Sequence, residues 1–186
     1  RTPDRKDYSL EPPKDTLLDL LIKNGYKTYG IGKVYDIFAK KGFTKTVHIE
    51  NNTENMAILL KSTIEEKEFS LIFTNLVDFD MNYGHRRDVW GFANALLEFD
   101  GFLGNYLRWL NDDDILIITA DHGNDPTYIK HTDHTRENVP FYIYGKEIKK
   151  NNHIGNHKFS DLGATIGEIF NIKTYDGKSF LRKILI

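Results

Sequence analysis

Short apolar runs alternate along the chain with longer stretches in which apolar positions recur every three or four residues. Five runs read as strands: Tyr26–Ile31, Lys45–Ile49, Phe69–Val77, Ile115–Ala120 and Val139–Tyr144. They are short and rich in β-branched or aromatic residues, as expected of strands covered on both faces. The first predicted helix opens at Pro13, with Asp15 in its first turn, and carries Leu17, Leu18, Leu20, Leu21 and Ile22 to a stop at Asn24-Gly25. Residues 34–44 read as a short helical or looped piece closing at Gly42. A second helix is predicted from about Glu54 to Glu66, capped by Thr53, with Met56, Leu59, Leu60 and Ile64 on one face. The strongest amphipathic pattern follows Asp88, a suitable N-cap: Val89, Phe92, Ala93, Leu96, Phe99, Leu103, Tyr106, Leu107 and Leu110. Residues 159–170 give a further helix, and the stretch from Gly177 to Ile186 a last short one. Helices and strands alternate, which predicts an α/β fold with a mainly parallel sheet flanked by helices.

Composition narrows the class without changing this picture. The 186 residues are 40% apolar and 28% charged, with a net charge of -2, which implies no broad attraction to nucleic acid. There is no cysteine, so neither disulfides nor thiolate metal sites are available, in keeping with a cytoplasmic setting. No apolar run approaches a membrane span, and the opening does not read as a signal peptide. The chain opens on Arg1 and a polar stretch rather than on a methionine, and reads as a piece of something longer.

The candidate chemistry gathers where strands end, the edge at which open α/β sheets bind ligands. The run Ile115–Ala120 delivers Asp121-His122-Gly123-Asn124-Asp125; the run Phe69–Val77 delivers Asp78-Phe79-Asp80 and then His85-Arg86-Arg87-Asp88; the loop beyond adds Thr132-Asp133-His134. Asp80, His85, Asp121, His122 and His134 are thereby directed toward one place. Any one of them reads equally well as a helix cap or a structural histidine, but five together, with three of the chain's seven histidines, do not. Carboxylate and imidazole without sulfur suit Mn²⁺, Zn²⁺, Mg²⁺ or Fe²⁺. Two ligand groups suit two ions, which at roughly 3.5–4 Å apart clamp the attacking and leaving oxygens of a phosphoryl transfer. Asp78 and Asp125 each fit two roles, orienting a ligand or capping a turn, and His131 fits the same loop as a further ligand. Arg86 and Arg87 fit a phosphate or a pairing with Asp88 or nearby acidic residues. Lys33, at the end of the first strand, fits a phosphate or an exposed surface. His48, His153 and His157 lie outside any motif and read as surface residues. Lys146 to Lys158 reads as a solvated loop.

Several stretches together resemble the phosphopentomutase family. They are Asn75-Leu76-Val77-Asp78-Phe79-Asp80, Tyr83-Gly84-His85-Arg86-Arg87-Asp88, Ile118-Thr119-Ala120-Asp121-His122-Gly123-Asn124-Asp125-Pro126 and Thr132-Asp133-His134-Thr135-Arg136-Glu137. Arg1-Thr2-Pro3-Asp4-Arg5-Lys6-Asp7-Tyr8 and Gly30-Ile31-Gly32-Lys33 are similar to that family too. Asp-His-Gly alone is only a mark of the wider alkaline phosphatase superfamily.

The resemblance implies an alkaline phosphatase-like core, incomplete at its N-terminal side, over residues 13–186, with residues 1–12 as the end of a cap domain and its return linker. It implies an isomerase holding two divalent metal ions, most often Mn²⁺, that interconverts ribose or deoxyribose 1-phosphate and 5-phosphate with a sugar bisphosphate as activator. On the same ground Asp121 and His122 are expected at one metal, and Asp80, His85 and His134 at the other. Lys33 is expected to hold the phosphate, and Arg1 and Arg5 to face the sugar phosphate. Two departures stand out. His131 occupies the place of a glycine usual in the family. The family's phosphorylated threonine has no counterpart, since Thr2, Thr16 and Thr28 do not match its setting; it is expected in an N-terminal part outside this sequence, so no catalytic nucleophile is assigned and the isolated chain is expected to be inactive as a mutase. Two rival readings are another superfamily phosphotransferase, such as a cofactor-independent phosphoglycerate mutase, and a metal-binding module without catalysis of its own.

Overall fold

The computed structural model describes residues 10–186, which form two compact units. One comprises the described residues up to Ile49 together with Glu68–Asn75 and His157–Ser179. The other comprises Glu50–Lys67, Leu76–Asn156 and Phe180–Ile186.

The first unit is built on a parallel sheet in which β1 (Thr28–Ile31) lies between β2 (Lys45–Val47) and β3 (Leu71–Thr74), with Gly30 opposite both Thr46 and Phe73. All four β1 residues are buried, as a central parallel strand covered on both faces requires. Gly30 makes room for the Phe43 ring, which lies 2.9 Å from where a Cβ would be. Helix α1 (Leu17–Lys23) packs on β1 and on α5 (Phe159–Ile169). Its start differs from the expected one. Pro13 and Asp15 precede the helix, and Thr16 caps it, its hydroxyl accepting from Asp19 N while Asp19 Oδ2 accepts from Thr16 N at 2.8 Å. This reciprocal box satisfies two end donors, which a proline at the first position cannot do. Only Leu18 and Leu21 of the leucine-rich run are buried. The short α2 (Val34–Ile37) follows β1.

Asp161 ties the start of α5 to the segment after it. Its Oδ1 accepts from Lys178 N at 2.8 Å and its Oδ2 from Lys158 N at 3.1 Å. These N–H groups, Lys178 first, hold the carboxyl below its ordinary 3.8. A carboxyl with a lowered folded pKa stabilises the fold above its unfolded pKa and loses that effect as pH falls through the folded value. The difference in melting temperature between wild type and Asp161→Asn should therefore be full near about pH 6 and shrink below about pH 4. A difference independent of pH would show that the carboxylate's charge is not what holds this end.

In the second unit, α3 (Asn52–Glu65) is capped by Asn51, whose Oδ1 accepts from Glu54 N at 2.8 Å, and not by Thr53 as expected. Asp88 caps α4 (Val89–Tyr106) as expected, accepting from Gly91 N at 2.8 Å. The predicted long helix ends earlier than its pattern, passing at Leu107–Trp109 into a tighter 3₁₀ turn. Tyr106 is buried with its hydroxyl 2.8 Å from Thr63 Oγ1, joining α4 to α3. Much of the apolar surface of α4 remains exposed, Trp90 by 82% and Leu97 by 71%. Strand β4 (Leu116–Thr119) pairs with β5 (Phe141–Tyr144), Leu116 opposite Tyr144. This pair is antiparallel, unlike the first sheet. The chain between them, residues 120–140, holds no helix to carry it back across the sheet, and a parallel return needs such a crossover. The expected last helix is α6 (Leu181–Ile184), where Ile184 is buried and Phe180 meets the Phe141 ring at 5.7 Å. No described helix is long and apolar enough to cross a membrane.

Candidate metal centre

The loop after β3 contains a feature the apolar pattern did not predict. Asp78 pairs with the start of α3, its Oδ2 accepting from Asn52 N at 2.8 Å while its own N–H donates to Asn52 Oδ1 at 3.0 Å. Asp78 is thus a structural tie. From there the chain enters a π-helix, Phe79–Gly84, in which His85 N donates to Asp80 O at 3.0 Å and Asp88 N to Tyr83 O at 2.9 Å. In an α-helix, at 3.6 residues per turn, positions five apart point roughly 140° away from each other. The wider π turn stacks them. It is this turn that brings His85 Nε2 to 3.3 Å from Asp80 Oδ1.

The other two loops are joined by an antiparallel bridge between Gly123 and Thr135, with Thr135 N donating to Gly123 O at 2.9 Å. His122 and His134 are diagonal neighbours across that bridge, and their rings stack with centroids 3.6 Å apart. Thr135 Oγ1 accepts from Asp125 N at 2.9 Å and donates to Glu137 Oε1 at 2.7 Å. The Glu137 carboxylate fills the space beside Gly123, 2.5 Å from where a Cβ would be. Asp125 closes a turn, its Oδ1 accepting from Thr127 Oγ1 at 2.7 Å and Thr127 N at 2.8 Å. These two bonds, the hydroxyl's first, hold its carboxyl below the ordinary value.

Ligand atoms of Asp80, His122 and His134 lie within 4.8 Å of one another. His134 Nε2 is 3.3 Å from Asp80 Oδ1, the same oxygen that His85 approaches. Asp121, whose side chain is 62% exposed, joins the group through His122, with its Oδ2 3.6 Å from His122 Nε2. All five expected ligands therefore gather in the second unit. Lys33 lies in the first unit, directly after β1 and at the start of α2. Arg1 and Arg5 lie outside the described residues. His131 is exposed and packs on the Tyr128 ring at 4.7 Å, apart from the cluster of ligand atoms. Asp88 is committed to capping α4, and neither Arg86 nor Arg87 forms an ion pair with it among the described residues. The residues that sequence reasoning quoted but gave no role are Asn124, Thr135, Glu137 and Gly84, together with the carbonyl of Thr132.

Two of the imidazoles are anchored through Nδ1. His85 Nδ1 is 2.5 Å from Thr132 O, and His122 Nδ1 is 3.2 Å from Gly123 O. A carbonyl only accepts, so each Nδ1 carries a proton, which in the neutral ring leaves Nε2 as the lone-pair nitrogen, the arrangement usual for metal-bound histidine. His85 Nε2 is buried and makes no hydrogen bond. In the neutral ring this nitrogen would face a carboxylate oxygen at 3.3 Å lone pair to lone pair, a repulsion that a divalent cation held by both would relieve. The donor set, nitrogen and oxygen without sulfur, suits Mn²⁺ or Zn²⁺.

The chain is similar to curated proteins over nearly all of its length. The phosphopentomutase of Dictyoglomus turgidum is 50% identical over 186 residues, covering 99% of this chain and 47% of that protein. That of Alkaliphilus oremlandii is 47% identical, covering 100% and 47%. That of Thermotoga maritima is 48% identical over 182 residues, covering 97% and 46%. The likeness read from the motifs thus extends along the whole chain, while the chain spans about half the length of these relatives. In fold, it is similar to a phosphoglycerate mutase of Leishmania mexicana, with a TM-score of 0.62 at 17% identity over 87% of this chain and 38% of that one. Residues 21–174 match the family described as the Metalloenzyme superfamily, and the chain belongs to that superfamily.

Proposed function

We propose that the chain supplies the metal-binding part of a phosphopentomutase, an isomerase that moves a phosphoryl group between the 1- and 5-oxygens of ribose or deoxyribose, with a sugar bisphosphate as activator. The observation that carries the reading is the cluster of Asp80, His122 and His134 with the unbonded, buried Nε2 of His85, in a chain about half identical to phosphopentomutases. Asp80, His85 and His134 would hold one ion and Asp121 with His122 part of the shell of another, most fittingly Mn²⁺. Such ions neutralise charge on a transferring phosphoryl group and lower the pKa of an attacking hydroxyl. Lys33, at its strand end, would take a phosphate oxygen, and Arg1 and Arg5, in the return from a cap domain, the sugar phosphate.

The mutase needs a hydroxyl that carries the phosphoryl group while the sugar turns over. Neither described threonine near the start of the chain serves. Thr16 caps α1, and Thr28 is fully buried with its hydroxyl donating to Gly42 O at 2.9 Å. The nucleophile would come from a further part of the protein. The test is a coupled assay for ribose 5-phosphate formed from ribose 1-phosphate, with Mn²⁺. The 186-residue chain should show at most weak phosphate-ester hydrolysis, and adding a polypeptide covering the rest of the relatives' length should restore transfer. Robust turnover by this chain alone would overturn the division of labour, and no transfer by the reconstituted pair would overturn the activity.

A further inference from the structure

Three nitrogens surround one oxygen of Asp80. Two belong to His85 and His134, and the third is Asn124 Nδ2, which donates to Asp80 Oδ1 at 2.5 Å. The amide nitrogen has no lone pair to offer a cation, so its part differs from that of the imidazoles. It occupies one side of the carboxylate.

The approach depends on Gly84, the buried last residue of the π-helix. A Cβ there would lie 2.4 Å from Asn124 Cγ and 2.5 Å from Asn124 Nδ2. Gly84 does not have a positive φ, so its backbone does not demand glycine. The missing side chain is what this place uses. The Asn124 backbone, in turn, follows directly on the Gly123–Thr135 bridge that sets His122 beside His134. One amide thus links the loop carrying the two stacked imidazoles to the carboxylate on the π-helix.

We propose that Asn124 is a positioning residue. It holds the Asp80 carboxylate in its ligating orientation, and Gly84 provides the space in which it does so. The inference rests on the reading of Asp80 as a metal ligand. A carboxylate already fixed by a hydrogen bond loses less rotational freedom when it takes up an ion, and partners that orient a ligand typically contribute 10–100-fold in metal affinity.

The test is calorimetric titration of the full 186-residue chain with Zn²⁺. Nitrogen and oxygen sites bind Zn²⁺ more tightly than Mn²⁺, so weakened variants stay measurable. Asn124→Ala and Gly84→Ala should each weaken binding about 10–100-fold. Asn124→Leu, which keeps much of the volume but cannot donate, should weaken it as Asn124→Ala does, and it carries the test if the alanine variant fails to fold by circular dichroism. In an Asp80→Ala background, Asn124→Leu should have no further effect. Wild-type affinity in Asn124→Leu would show that the amide only fills space, and an equal loss with and without Asp80 would show that it acts elsewhere in the loop; either overturns the inference. If Asp80→Ala itself binds like wild type, the ligand assignment fails instead, which separates the two.

Discussion

Asp80→Ala should abolish tight Mn²⁺ binding, with an affinity loss exceeding the roughly 100-fold upper range for residues that merely orient a ligand. Asp80 is the one carboxylate in the cluster with His122 and His134, and its Oδ1 is also the atom that His85 faces at 3.3 Å. Removing it takes away the negative charge that would offset the ion and leaves imidazoles from separate loops with no common partner. Asp121→Ala should cost less. Its side chain is 62% exposed and, among the described residues, reaches the others only through His122, and on the proposed reading this chain would supply part of that ion's shell. A single ion should therefore bind better than two. Equilibrium dialysis followed by metal analysis measures both variants, and an equal loss in the two would contradict this ranking.

The largest effect on stability should come from Gly177→Ala. Gly177 has φ +93°, and an added Cβ would lie 1.9 Å from Ser160 O and 2.4 Å from Ser160 C. The obstacle is backbone at the start of α5, so no side-chain rotation relieves it. The next residue, Lys178, supplies the N–H that Asp161 Oδ1 accepts at 2.8 Å, so any shift also loosens that tie. A left-handed conformation costs an L residue ~1–2 kcal/mol, and displacement of packed groups typically adds ~1–3 kcal/mol. The sum, about 2–5 kcal/mol, is a large share of an ordinary domain's stability. Gly25→Ala is the control. Gly25 has φ +82° but nothing within 4 Å of the added atom, so it should show only the conformational cost. Urea denaturation compares the two, and similar midpoints would show that the chain gives way around residue 160 without cost.

What the sequence made legible follows from what a linear pattern can carry. The run Thr28–Ile31 is apolar or small on both faces, so burial of β1 could be read directly. Asp121 and His122 follow a strand end, and residue type with position was enough to mark them. The π-helix was not legible, because apolar periodicity distinguishes 3.6 from 2 and carries no sign of an inserted residue; the facing of Asp80 and His85 depends on that insertion. Residue type places the start of α1 at Pro13, which suits a first helical position, whereas the true cap is Thr16, chosen by its hydrogen bonds with Asp19, which residue type alone does not show. The antiparallel β4–β5 pairing follows from what residues 120–140 lack, a crossover helix. Asn124 and Gly84 lie 40 positions apart, and only the fold makes one the space for the other.

The division of the chain between its two units has a consequence for biosynthesis. The polypeptide passes between them five times, and the first unit takes its last segment from His157–Ser179. A ribosome therefore releases β1, its neighbours and α1 long before α5, the helix that packs on α1 and places the Phe170 ring 4.8 Å from Tyr26. Through that interval the metal loops emerge while the first unit is still open, with apolar surface of both units exposed together. Neither unit can mature as an independent nascent domain, since each waits on residues beyond position 156. A nascent chain stalled there presents unfinished surface of the kind chaperones hold, and residues 157–186 carry a segment of each unit.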